Sequence, residues 1–239
     1  MPSALQLEIC VDSPDGLQQA IAGGADRIEL CSALALGGLT PSPGMIAAAQ
    51  DCPLPCHAMI RPAPGDFVPR SGGMQAILAD IAAMRAAGLA GIVIGVMTPQ
   101  GDLDVDALKR CRDAAGDMDM TIHRAVDICR DQMAALEVAI ACGARRILTS
   151  GAAPTAIQGA ERIAALCVAA AGRIQIMAGS GVDDGNARAL IATGVDALHG
   201  SCAGVDGAQQ DCSAIGIAPR KVTTAARVRS LKKIMEGGR

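Results

Sequence analysis

The sequence predicts an α/β protein, a single (β/α)8 TIM barrel over residues 1–239, and three observations carry that prediction. The first is a phrase written four times: Ile21-Ala22-Gly23-Gly24-Ala25-Asp26-Arg27-Ile28, Arg85-Ala86-Ala87-Gly88-Leu89-Ala90-Gly91-Ile92, Ile140-Ala141-Cys142-Gly143-Ala144-Arg145-Arg146-Ile147 and Ile191-Ala192-Thr193-Gly194-Val195-Asp196-Ala197-Leu198. In each, a helical stretch meets a glycine able to take the left-handed backbone conformation, and a small residue and a β-favouring apolar run follow. The copies stand about fifty to sixty-five residues apart, the length of two βα units of roughly thirty residues, so four copies make eight units. The second is length: 239 residues match the ~250 typical of one such barrel, enough to bury roughly 70–75% of the unfolded surface. The third concerns the rival, a doubly wound open sheet, which would carry a Gly-rich phosphate turn after its first strand. Cys10-Val11-Asp12-Ser13-Pro14 stands there instead.

Strand-like runs occur at 5–11, 25–31, 55–60, 91–97, 118–123, 145–149, 173–178 and 196–200. Helix-period segments lie between them, near 14–23, 43–50, 73–87, 104–115, 130–142, 155–171 and 184–193, with a last one near 222–235. Strands alternating with helices imply a parallel sheet, and eight imply closure.

Composition excludes several classes of function. The chain is 51% apolar, yet its apolar runs are broken well before the ~18 residues a membrane span needs. The first residues lack a basic region followed by an apolar stretch, so no signal peptide is expected and the cytoplasm is the expected setting. Ten cysteines then read as reduced thiols serving as small hydrophobes. No Cys-x-x-Cys occurs, and Cys52 and Cys56 enclose Pro53 and Pro55. A net charge of −3, scattered Lys and Arg apart from the tail 227–233, one Phe and no Tyr or Trp argue against nucleic-acid binding.

Alternation along a strand decides which side chains face the barrel axis. With Leu7, Ile9, Val11, Ile28, Leu30, Ala58, Ile60 and Leu198 turned to the helices, the interior receives Glu8, Cys10 and Asp12; Arg27, Glu29 and Cys31; His57, Met59 and Arg61; Thr121 and His123; and His199. All three histidines point inward. A barrel interior is ordinarily filled by Val, Ile and Leu, and buried ionisable groups cost several kcal/mol each unless paired. Two readings stay open: a structural network of Glu8, Glu29, Arg27 and Arg61, or the floor of a site. At the strand ends, Arg61, Arg124, the turn Gly179-Ser180-Gly181 before a helix expected near Asp184, and Ser201 are candidate anion contacts. The glycines could equally serve only the geometry of tight turns.

The blocks Leu7-Glu8-Ile9-Cys10-Val11-Asp12-Ser13, Gly23-Gly24-Ala25-Asp26-Arg27-Ile28-Glu29-Leu30-Cys31-Ser32, Gly37-Gly38-Leu39-Thr40-Pro41-Ser42, Met59-Ile60-Arg61-Pro62, Gly65-Asp66-Phe67, His123-Arg124-Ala125, Arg146-Ile147-Leu148-Thr149-Ser150-Gly151, Gly179-Ser180-Gly181 and His199-Gly200-Ser201 follow in this order. The chain so resembles the CutC family of barrels associated with copper homeostasis. It departs where Ala63 and Val126 replace the Arg and Phe usual in that pattern. The resemblance implies copper-ion binding in the cytoplasm and homo-oligomerisation.

Copper(I) prefers thiolate and thioether ligands, so Cys10 and Cys31, inward on neighbouring strands, are the candidate metal pair, with Met59 or a histidine as auxiliary. Two spectator thiols are the alternative. A second hypothesis is an enzyme for a small anionic, possibly phosphorylated metabolite. Glu8, Glu29, His123 and His199 would be its acids and bases, and Arg61, Arg124, Gly179, Ser180, Gly181 and Ser201 its anion contacts. A third is a scaffold whose polar interior merely pairs with itself.

Overall fold

The computed structural model describes residues 5–205 and 221–237; of the expected span, residues 1–4, 206–220 and 238–239, and with them Cys212, lie outside the described residues. Eight parallel strands close a barrel in sequence order: β1 Gln6–Val11, β2 Arg27–Leu30, β3 Cys56–Met59, β4 Gly91–Ile94, β5 Asp119–Ile122, β6 Arg146–Thr149, β7 Gln175–Ala178 and β8 Ala197–Gly200. The ring closes through β8 against β1, with Leu7 beside Leu198 and Glu8 beside His199.

Helices fill the intervals: α1 Pro14–Gly23, α2 Pro43–Ala48, α3 Gly73–Ala86, α4 Val105–Ala115, α5 Gln132–Ala141, α6 Ala160–Ala170, α7 Ala187–Ile191 and α8 Ala225–Glu236. Their starts are written in the sequence. Ser13, Ser42, Asp104 and Asp131 each accept a hydrogen bond from a first-turn backbone N–H, which satisfies a donor the helix cannot. The stops of α1, α3, α5 and α7 are the repeated phrase, whose aligned glycines Gly24, Gly88, Gly143 and Gly194 have φ of +89°, +74°, +72° and +90°. The phrase also supplies a staple. Asp26 accepts from the Leu7 backbone N–H at 2.7 Å, and Asp196 from that of Ile176 at 2.8 Å.

Three expectations need correction. The helix expected from about residue 184 forms only over Ala187–Ile191, because Asp183 turns back to accept from the N–H groups of Gly185 and Asn186. The last helix starts at Ala225, since Lys221–Thr223 form a strand antiparallel to Ala203–Val205. Short 3-10 turns at Leu34–Leu36 and Arg124–Ile128 follow β2 and β5, where no helix-period segment is expected.

The predicted alternation holds. Leu7, Ile9, Val11, Ile28, Leu30, Ala58, Ile60, Ile92, Ile94, Ile122, Ile147, Ile176 and Leu198 lie in one buried cluster with the helices. At ~25 cal/mol per Å² of apolar surface withdrawn from water, this outer shell is the main favourable contribution to folding. Among the described residues the barrel interior holds two small apolar patches: Cys31, Met59 and Val93, and Leu148, Met177 and Ala197. The remainder of the axis is polar.

Candidate functional site

Register explains how residues far apart in sequence meet. Glu8 pairs in the sheet with Arg27 on one side and His199 on the other, Cys10 pairs with Glu29, and Glu29 with His57. Glu8 is fully buried and makes an ion pair through Oε2 with Arg27 Nε. Its Oε1 lies 2.8 Å from His199 Nδ1, and His199 Nε2 lies 3.7 Å from Glu29 Oε2. The Cys31 thiol donates to the same Glu29 oxygen at 3.4 Å. Cys10 Sγ completes the group: one ligand atom from each of Cys10, Glu29 and His199 lies within 4.8 Å of the others, and all three residues are buried.

The two carboxyls meet opposite fates. Burial raises both, but at Glu8 the Arg27 guanidinium and His199 overcome it and hold the carboxyl well below its usual range. At Glu29 burial prevails over His199, and the charge on Glu8 adds to it, so the group is pushed up to about 7. Burial opposes charge on His199 too, yet Cys10, Glu29 and Glu8 together hold it well above the usual histidine value. Burial, Glu29 and Cys10 push the Cys31 thiol upward. Glu29 Oε1 is buried with no hydrogen-bond partner, a condition that costs ~1–3 kcal/mol unless a proton or ligand relieves it.

The floor beneath was only half foreseen. Arg146 reaches from β6 to Asp119 Oδ2 at 3.1 Å, Thr121 Oγ1 at 3.2 Å and His57 Nδ1 at 3.4 Å, while Arg27 Nη1 donates to Gln6 at 2.7 Å. Alternation applied to β6 would have found Arg146. Burial, reinforced by Arg146 and Arg27, lowers His57 to about 4, so the third histidine is neutral and belongs to this floor.

The remaining candidates divide. Arg61 does not join the Glu8 network: its Nη atoms donate to the carbonyls of Leu36, Gly38 and Gly65. Its guanidinium lies 5.2 Å from the ring centre of Phe67, whose ring stands 4.5 Å from that of His123. Arg61 and His123 thus form a second group at the mouth. Arg124 is committed to Asp127 at 2.9 Å and to Ser150 Oγ at 2.8 Å. Ser180 Oγ donates to Pro154 O, and Ser201 Oγ accepts from Ala203 N.

Inward glycines make room for the imidazoles. A Cβ at Gly91 would sit 2.8 Å from His57 Nε2, one at Gly95 2.6 Å from His123 Nδ1, and one at Gly179 3.2 Å from His199 Cδ2. Gly179 therefore serves the packing of Leu148, whose Cδ1 would lie 2.5 Å from a Cβ there, and of His199, a role that sequence reading missed.

The CutC family model matches residues 5–204. A CutC family protein of Sinorhizobium medicae is 45% identical over 234 residues, 96% of each chain. One of Caulobacter vibrioides is 46% identical over 235 residues, 95% of this chain and 96% of the relative. Among solved structures, a CutC from Streptococcus agalactiae named for copper homeostasis is 30% identical, with a TM-score of 0.79 over 82% of this chain and 98% of that one. A thiamine phosphate pyrophosphorylase from Pyrococcus furiosus, 16% identical with a TM-score of 0.63 over 98% of this chain and 96% of that one, shares the fold alone.

Proposed function

Because the chain belongs to the CutC family, we propose that it binds copper(I) inside the barrel, through Cys10 and His199 with Glu29 beside them and Cys31 as a further thiol. The observation that carries this reading is the convergence of one thiol, one carboxylate and one imidazole within 4.8 Å. The donor chemistry fits, since copper(I) favours thiolate and accepts imidazole. Copper is the cargo of such a site. Glu8, bonded to His199 Nδ1, leaves Nε2 as the ligating atom and fixes the ring, as carboxylates behind metal-bound histidines do. Loading has to expel the proton held on His199, so affinity rises with pH.

The test is a copper(I) titration against a chelating competitor. Cys10→Ser is expected to weaken binding by about 10–100-fold or more, and Cys31→Ser by less. Unchanged affinity in both variants, with folding checked by circular dichroism, overturns the reading.

One observation favours a second reading, acid/base catalysis on a small anionic metabolite. Glu8 and Glu29 flank His199, and their environments push one carboxyl down and the other to about 7; such a split assigns a permanent base and an acid near neutrality. Arg61 and the turn Gly179-Ser180-Gly181 are then the anion contacts, while Arg124 and Ser201 serve through the loops they hold. Deuterium wash-in beside the carbonyl of small oxo acids, abolished by Glu29→Gln, is the expected result; none with the wild type removes this reading.

The proposed setting is the cytoplasm and the proposed assembly a homo-oligomer. Among the described residues no helix is long and apolar enough to cross a membrane. On α6, Val168 is 80% exposed, and Ile157, in the turn before that helix, is also open to solvent.

A further inference from the structure

We propose that Arg61 and His123 form a paired hydrogen-bond donor site for the oxygens of a small carboxylate with an apolar body, received from the cavity beside the segment 61–73. This extends the acid/base reading by naming a ligand class, and it is tested separately from it.

The argument begins with the tautomer of His123. The backbone N–H of Ala125 donates to His123 Nδ1 at 3.1 Å, where the imidazole caps the 3-10 turn Arg124–Ile128. An accepting Nδ1 carries a lone pair, which assigns the ring proton to Nε2. That Nε2–H is buried and has no acceptor, and the Nε–H of Arg61 is in the same condition. Orphaned buried donors call for an explanation. Here both side chains pack against one ring, that of Phe67, the chain's single Phe.

Electrostatics suits an anion on this side of the axis. Arg61 is charged, and burial, reinforced by Arg61, lowers His123 to about 3, so the imidazole is a standing neutral donor. The acidic Glu8–Glu29 group belongs to the other strands of the barrel.

The space is present as well. A cavity of about 570 Å³ lies against Arg61, Phe67 and Gly95. His123 stands behind that wall rather than on it: its ring lies 4.5 Å from that of Phe67, and a Cβ on Gly95 would meet its Cε1 and Nδ1. Ile60, Pro62 and Ile77 continue the wall, which matches a short hydrocarbon body, and Asp66 on the same wall is paired with Arg70 at 2.8 Å. Two donors are the number one carboxylate face accepts, whereas a phosphate would bring a third oxygen with no orphaned donor to meet it.

The probes are butyrate and inorganic phosphate, read by long-range nitrogen NMR of the three histidines and by calorimetry. The expected results are an Nε2–H tautomer for His123 in the free protein, a shift of that nitrogen on adding butyrate, and affinity at least about tenfold weaker in His123→Leu. His123→Gln, whose amide keeps a donor near Nε2, is expected to retain most of the affinity. An Nδ1–H tautomer, no response to butyrate at tens of millimolar, or a response to phosphate in its place overturns the proposal. Butyrate binding that persists in Glu29→Gln or in the absence of deuterium wash-in leaves this site standing while the acid/base reading fails.

Discussion

Glu8 Oε1 stands 2.8 Å from His199 Nδ1 although 191 residues separate the two in sequence, because the seam between β1 and β8 sets them side by side. The contact joins the first and last strands and orients the imidazole of the proposed copper site in one stroke. Stability and site geometry therefore share a residue.

Replacing Glu8 by Gln should expose that sharing. Arg27, 3% exposed, would lose its ionic partner inside the barrel, and breaking a buried pair from one side costs ~3–5 kcal/mol. We expect a urea midpoint lowered by an amount of this order. The folded fraction should bind copper(I) about 10–100-fold more weakly, because His199 is no longer held. Undiminished stability would mean that the Glu8–Arg27 pair contributes nothing net.

Gly95→Ala tests how tightly the mouth is packed. The added Cβ would lie 2.6 Å from His123 Nδ1 and 2.7 Å from the Ala125 Cβ, so ring or backbone must move. Overpacking of this kind costs ~1–3 kcal/mol. The expected outcome is a loss of that order by chemical denaturation, together with a changed nitrogen shift for His123. A neutral substitution would show that the ring has unseen freedom.

Much of this was legible in the sequence for a simple reason. The period of two is strict, so once Leu7, Ile9, Ile28 and Leu30 are assigned to the helices, Glu8, Cys10, Arg27, Glu29 and Cys31 have only the axis left. The glycines of the repeated phrase were equally readable, because helix termination requires a backbone that few residues adopt. Alternation fixes the face but not the height along the axis or the partner across it. For that reason the inward-facing Glu8, Glu29, Arg61, His123 and His199 resolve into two groups, Glu8 with Glu29 and His199, and Arg61 with His123. The inward thiols separate in the same way: Cys31 bonds to Glu29, while Cys10 lies with Glu29 and His199.

Acid should weaken the fold between pH 6.5 and about 4.5. His57 and His123 are buried neutral, at about 4 and about 3 when folded, against ~6.5 when unfolded. The unfolded chain thus binds more protons in that window. Stability falls as pH falls, by about 2–3 kcal/mol per histidine. Glu29 works the other way, since its folded value of about 7 lies above the unfolded carboxyl value, and the folded state gains protons first. Urea titrations across the window should show a net loss in the wild type and a steeper one in Glu29→Gln. A flat profile in both would contradict the buried neutral histidines.

Arg124 offers the sharpest distinction between a ligand contact and a structural clasp. Asp127, 4% exposed in its side chain, accepts from Arg124 Nε at 2.9 Å, from Ser150 N at 2.9 Å and from Gln132 Nε2 at 3.0 Å, and it bonds Thr149 Oγ1 as well. The carboxylate ties β6 and the start of α5 to the turn after β5, and Arg124 lies over it, reaching on to Ser150 Oγ at 2.8 Å. Asp127→Ala strips acceptors from several buried donors at once and should cost about 3 kcal/mol or more. Arg124→Ala removes only the half-exposed partner and should cost ~1 kcal/mol or less. If Arg124 is a clasp, its loss leaves the affinity for butyrate within about twofold of wild type, less than half of the 1.4 kcal/mol that a tenfold change represents. A tenfold loss with stability intact would instead return Arg124 to the anion contacts.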